Sequence, residues 1–98
     1  MKLLTKANEK ALPALYSQDG KGLEALAQVK FFTPDGSATW YASEFDGEDT
    51  FFGLCDMGFG CPELGYFRLS ELQSVRGKMG LPVERDRHFS PAALSTLS

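Results

Sequence analysis

Hydrophobic positions change their spacing along the chain, and the change marks the elements. Leu4, Ala7, Ala11, Leu12 and Leu15 recur at helical intervals, so the opening segment predicts a short amphipathic helix. Thr5 or Asn8 is positioned to cap it, and Pro13 stops or kinks it near Leu12. Residues 17–22 (Ser-Gln-Asp-Gly-Lys-Gly) are turn formers and predict a loop. From residue 27 the texture becomes short aromatic and β-branched runs separated by turn residues, a strand pattern. Strands are predicted over 27–32, 39–45, 50–57 and 63–69. The first turn is Thr33-Pro34-Asp35-Gly36 and the second Asp46-Gly47-Glu48-Asp49, and a break at Gly58-Phe59-Gly60-Cys61-Pro62 precedes the last strand. Strict alternation in the second strand sets Trp40, Ala42 and Glu44 on one face and Tyr41, Ser43 and Phe45 on the other.

Connections this short join antiparallel neighbours, because parallel crossovers need a dozen or more residues. The expected architecture is therefore α+β, a four-stranded antiparallel meander with flanking N-terminal and C-terminal helices. Ser70-Glu71-Leu72-Gln73 reads as a capping box opening the second helix, which ends by Gly77 or Gly80. Leu81-Pro82-Val83 is extended, and a short turn closes the tail after Ser90. At 98 residues, 43% of them hydrophobic, the chain is expected to form one domain over residues 1–98. It contains no apolar run of membrane-spanning length and no signal-peptide pattern, so a cytoplasmic protein is expected.

Charge changes this picture more than composition does. The net charge is −3, yet residues 31–67 contain no Lys or Arg and carry Asp35, Glu44, Asp46, Glu48, Asp49, Asp56 and Glu63. Such a segment repels phosphate backbones and attracts basic surfaces, which disfavours direct nucleic-acid binding. The bland alternative is that these acids are solvent-face residues of strands and turns, with bases from the two flanks neutralising them in the fold. Glu84-Arg85-Asp86-Arg87 alternates in sign and suits ion pairs that tie the C-terminal segment to an acidic sheet.

Motif chemistry is sparse. There is no G-x-S-x-G, no Walker loop and no G-x-G-x-x-G. Cys55 and Cys61 do not have the spacing of a redox pair or a zinc half-site, and a single histidine, His88, adds no ligand cluster, so both cysteines read as small apolar side chains. The acids around residues 44–56 fit no EF-hand spacing. Accordingly no catalytic residue, metal ligand or cofactor is expected. The ten aromatic residues between 31 and 67 exceed what one side of a four-stranded sheet holds, so some rings are expected at an interface.

The runs Val29-Lys30-Phe31-Phe32-Thr33-Pro34, Thr39-Trp40-Tyr41, residues 44–54 (Glu-Phe-Asp-Gly-Glu-Asp-Thr-Phe-Phe-Gly-Leu), Pro62-Glu63-Leu64-Gly65-Tyr66-Phe67 and residues 81–86 (Leu-Pro-Val-Glu-Arg-Asp) resemble the bacterial DUF2958 family over nearly the whole chain. The resemblance implies a small stand-alone protein of the kind encoded on plasmids, phages and integrative elements, and it supplies no catalytic residues. The combined expectation is a non-enzymatic protein-binding domain of a mobile element, an acidic phosphate mimic that inhibits a host defence nuclease complex. Its protein partner has a basic surface. The expected contacts are Glu44, Asp46, Glu48 and Asp49, with Trp40 and Tyr41 as anchors. A carboxylate-based metal-binding or enzymatic domain and a homo-oligomeric accessory factor are the alternatives.

Overall fold

The computed structural model describes residues 3–18, 20–58 and 60–97. Asp19 and Phe59, placed above in a loop and among the surplus aromatics, lie outside them. Helix α1 (Lys6–Ala11) is capped by Thr5. The Thr5 hydroxyl accepts the Asn8 N–H at 3.2 Å while Asn8 Oδ1 accepts the Thr5 N–H at 3.0 Å, satisfying donors at both ends of the first turn. The helix itself buries nothing. Leu3, Leu4 and Leu12 on either side of it enter the core, whereas Ala7 and Ala11 are exposed.

All four predicted strands form, and the sheet has a fifth. Strands β2 (Val29–Phe32), β3 (Thr39–Phe45), β4 (Thr50–Asp56), β5 (Glu63–Arg68) and β6 (Glu84–Arg85) make an antiparallel sheet in the order β5-β4-β3-β2-β6. The predicted first strand is split at Gln28. Its beginning, β1 (Leu26–Ala27), pairs with β7 (Ala92–Ala93) in a separate two-stranded ribbon. Helix α2 (Leu69–Ser74) starts one residue before Ser70 and ends before either glycine named above.

One face of the sheet carries the main core. Phe31, Trp40, Ala42, Phe45, Phe51 and Phe67 meet Leu72 of α2, Val83 and the leucines around α1. Phe51 is at its centre, with ring centroids 4.6 Å from Phe45, 5.2 Å from Phe67 and 5.5 Å from Phe31. On the other face the β1–β7 ribbon covers only part of the sheet, burying Ala25, Ala27, Leu54 and Leu94, with Tyr41 and Phe89 packed against them. The remainder of that face, towards β5, stays open.

A β-bulge decides which residues reach each face. Between Ala42, opposite Gly53, and Glu44, opposite Phe52, the register shifts, so Ser43 is an extra residue on β3. Beyond the bulge Phe45 joins Trp40 and Ala42 in the core, and Glu44 goes to the opposite face. This corrects the unbroken alternation read from the sequence. Ser43 Oγ donates to the Phe52 carbonyl at 3.0 Å and ties the bulge to β4.

Candidate functional site

Of the seven acids in the acidic segment Glu44 alone is buried, yet most of the others, half-buried or exposed, also accept N–H groups of the chain's own backbone. Glu44 is 2% exposed and accepts the Tyr16 N–H at 2.9 Å and the Gln18 N–H at 2.6 Å. Asp46 Oδ1 accepts the N–H groups of Glu48, Asp49 and Thr50 and so closes the β3–β4 turn. These bonds hold its carboxyl below the usual carboxylate range, the Glu48 N–H contributing most. Asp49 accepts the backbone N–H and the hydroxyl of Ser70, both at 2.8 Å, and its own carbonyl accepts the Leu69 N–H at 2.7 Å. Asp35 Oδ2 accepts the N–H groups of Met79 and Leu81, and Asp56 Oδ1 that of Gly58. Among the described residues, Glu48 and Glu63 are the members of the segment without such a bond.

Neutralisation by flanking bases is therefore not how the fold accommodates this charge. Among the described residues the one ion pair is Lys30–Asp86 at 3.8 Å. There the base comes from the sheet and the acid from the C-terminal segment, the reverse of the expected arrangement. Arg85 donates to the Leu3 carbonyl at 2.9 Å.

Asp49 also corrects the second helix cap. Ser70 is not the N-cap, because Arg68 occupies that position, and Arg68 has no side-chain acceptor to offer. Glu71 Oε1 accepts the Arg68 N–H at 3.1 Å, and Asp49, from the neighbouring hairpin, supplies the missing acceptor. Asp49→Ala is expected to cost about 1–2 kcal/mol, the usual loss for a helix cap. Circular-dichroism melts would show it as a drop in Tm of roughly 5–15 °C, and an unchanged melt would contradict the assignment.

The expected anchors also separate. Trp40 is 5% exposed within the core, which leaves its ring no surface to offer a partner. Tyr41 is half-buried, 6.0 Å from the Phe89 ring, with Lys30 Nζ 5.9 Å from its centroid. Burial, followed by the charges of Asp56 and Asp86, raises its hydroxyl pKa. Cys55 faces the core, where burial, followed by Glu71 and Glu63, pushes its thiol up to about 11, so it is protonated and a poor nucleophile at neutral pH. Cys61 is exposed, and both thiols are free. Among the described residues no three His, Cys, Asp or Glu side chains converge to hold a metal ion. No helix among them is long and apolar enough to cross a membrane.

What the fold does expose is a tyrosine pair that sequence reasoning missed. Tyr66 on β5 is 57% exposed and Tyr16, in the loop after α1, is 60% exposed. Their rings meet edge to face at 6.3 Å, and Phe52 supports Tyr66 at 5.0 Å. Leu64, also exposed, lies two residues along the same face of β5. Beside the pair opens a cleft of about 450 Å³, lined by Leu15, Tyr16, Asp46, Thr50, Tyr66, Phe67, Arg68 and Glu71. Tyr66 was legible as a strand residue. Tyr16 was not, because it reaches the sheet only through the loop that Glu44 holds.

No curated protein and no solved structure matches this chain. One family model does match, over residues 3–98, and the chain belongs to that family, the proteins of unknown function designated DUF2958.

Proposed function

We propose that this chain is a non-enzymatic protein-binding domain that docks a basic partner surface on the open end of its sheet. One observation carries the reading. Tyr16 and Tyr66, both largely exposed and in ring contact, share a cleft with Asp46 and Glu71. Exposed aromatic rings at the margin of charged groups are the usual anchors of protein interfaces, and a tyrosine offers a flat apolar face with few rotamers to lose on binding. The hairpin supplies the attraction through Asp46 and Glu48, the latter exposed and without an internal N–H partner among the described residues. A partner lysine or arginine has room to lay its stem on the rings and direct its charge at Asp46 or Glu71. The mobile-element setting implied by the family resemblance narrows the partner to a nucleic-acid-handling complex of host defence, whose basic surface the domain blocks as a phosphate mimic.

The test is affinity capture from a bacterial lysate with the native chain, Tyr66→Ala and Glu48→Lys, followed by titration of the purified partner at low and high salt. Tyr66→Ala is expected to weaken binding roughly 30-fold, the effect of losing about 2 kcal/mol at an anchor. Glu48→Lys is expected to weaken it several-fold and to flatten its salt dependence. A partner that binds both variants as tightly as the native chain contradicts the reading.

A further inference from the structure

Glu44 is the most deeply buried carboxylate of the acidic segment, and it touches no part of the open surface. It follows the bulged Ser43 and points away from the core, under the loop that joins α1 to the first 3-10 turn (Gly22–Glu24). Both of its oxygens are occupied by that loop, Oε1 by the Tyr16 N–H and Oε2 by the Gln18 N–H. The base of the loop is fastened independently, because the Phe45 N–H donates to the Pro13 carbonyl at 3.0 Å and Ala14 bridges to Phe45. Tyr16 itself has φ +69°, the left-handed region that a β-carbon disfavours, and it is the one non-glycine among the described residues found there. A residue stays in that region when its surroundings hold it. Here two carboxylate bonds straddle it, one to its own N–H and one two residues on.

The structure assigns Glu44 as the positioning residue of the docking surface: by clamping the backbone at Tyr16 and Gln18 it sets the Tyr16 ring against Tyr66 and forms one wall of the cleft. The assignment rests on the docking reading for its functional consequence, but its structural half is testable alone. A carboxylate suits this place because both incoming groups are donors. Glutamine, nearly identical in shape, would accept from one N–H and set its own amide N–H against the other at a side chain that is 2% exposed.

The experiment compares Glu44→Gln with Ser43→Ala and Tyr16→Ala, reading amide hydrogen exchange and the Tyr16–Tyr66 ring–ring nuclear Overhauser effect. In Glu44→Gln, exchange at Tyr16 and Gln18 is expected to accelerate at least 10-fold and the ring–ring effect to vanish, while amides in the middle of β4 keep their native rates. Ser43→Ala, which breaks the other side-chain bond of the bulge, is expected to leave the loop amides and the ring contact unchanged. With a captured partner, Glu44→Gln is expected to lose as much affinity as Tyr16→Ala, and the double variant to lose no more than Tyr16→Ala alone. A folded Glu44→Gln chain with native loop exchange and an intact ring contact overturns the assignment, as do additive losses in the double variant. If Tyr16→Ala binds normally, the docking reading fails, and the loop measurements still judge the positioning. Should Glu44→Gln fail to fold, Glu44→Asp, which keeps the charge but shortens the reach by one methylene, gives the same readouts.

Discussion

Replacing Phe51 by Ala is expected to lower stability by about 3–5 kcal/mol, the range for deleting a buried ring that its surroundings cannot fill. The ring is fully buried and touches three other phenylalanine rings from three strands. Truncation therefore opens a cavity that β2, β3 and β5 all border, and the backbone ladders on both sides of β4 keep the sheet from collapsing into it. For a domain whose whole stability is about 5–15 kcal/mol, this is a large share. Urea titration should show an earlier midpoint with an unchanged slope. A shift below about 1 kcal/mol would mean that the phenylalanine cluster is not the centre of the fold.

The second large effect concerns two glycines opposite each other in the sheet, Gly53 on β4 and Gly65 on β5. A β-carbon at Gly53 would lie 1.8 Å from the Tyr41 carbonyl oxygen, with Tyr41 C at 2.9 Å and Ala42 Cα at 3.1 Å. All three are backbone atoms beside the bulge, so no side chain can swing aside. Gly53→Ala must push β3 from β4 and is expected to cost about 3 kcal/mol or more, at or beyond the upper end of overpacking effects. At Gly65 a β-carbon meets nothing within 4 Å. Gly65→Ala is therefore expected to be neutral or to stabilise by up to about 1 kcal/mol, because alanine loses less backbone entropy within a strand. Thermal melts of the two variants should move in opposite directions or by very different amounts. Equal losses would mean that the close approach at the bulge is absent.

The strands were legible because each is bounded by its own turn residues, and both the alternation and the turn chemistry are local. The fifth strand was not, since Glu84–Arg85 and the β1–β7 ribbon are two residues each and acquire strand geometry only from their neighbours. The bulge was hidden because nothing in Ala42-Ser43-Glu44 marks an extra residue. Only Gly53 on the partner strand, a glycine inside an apolar run, hints at close backbone contact. That single slip moved Glu44 and Phe45 to the faces opposite those predicted.

The candidate site was legible in composition and illegible in role. The concentration of acid was visible, but a carboxylate's role depends on which N–H groups the fold brings to it. Those of Glu44, Asp49 and Asp35 come from 21 to 46 residues away in the chain. Asp46 and Asp56 are the exceptions, with donors two to four residues on, and at Asp46 an Asp one residue before a Gly in a four-residue turn signals a side chain that closes its own turn. Trp40 was a plausible anchor only while the covered face of the sheet was unknown. Most of the acidic segment thus serves as acceptors that fasten loops and turns to the sheet, while the Tyr16–Tyr66 pair and Glu48 stay exposed.

Amide hydrogen exchange on the native chain tests that account most directly. The amides of Tyr16, Gln18, Ser70 and Met79 lie outside the strands, and each donates to a carboxylate of the acidic segment. All four are expected to exchange at least 10-fold more slowly than amides of an unstructured chain. Exchange of these four at the unstructured rate in a folded protein, with β3 and β4 still protected, would contradict it and leave those carboxylates without the backbone donors assigned to them.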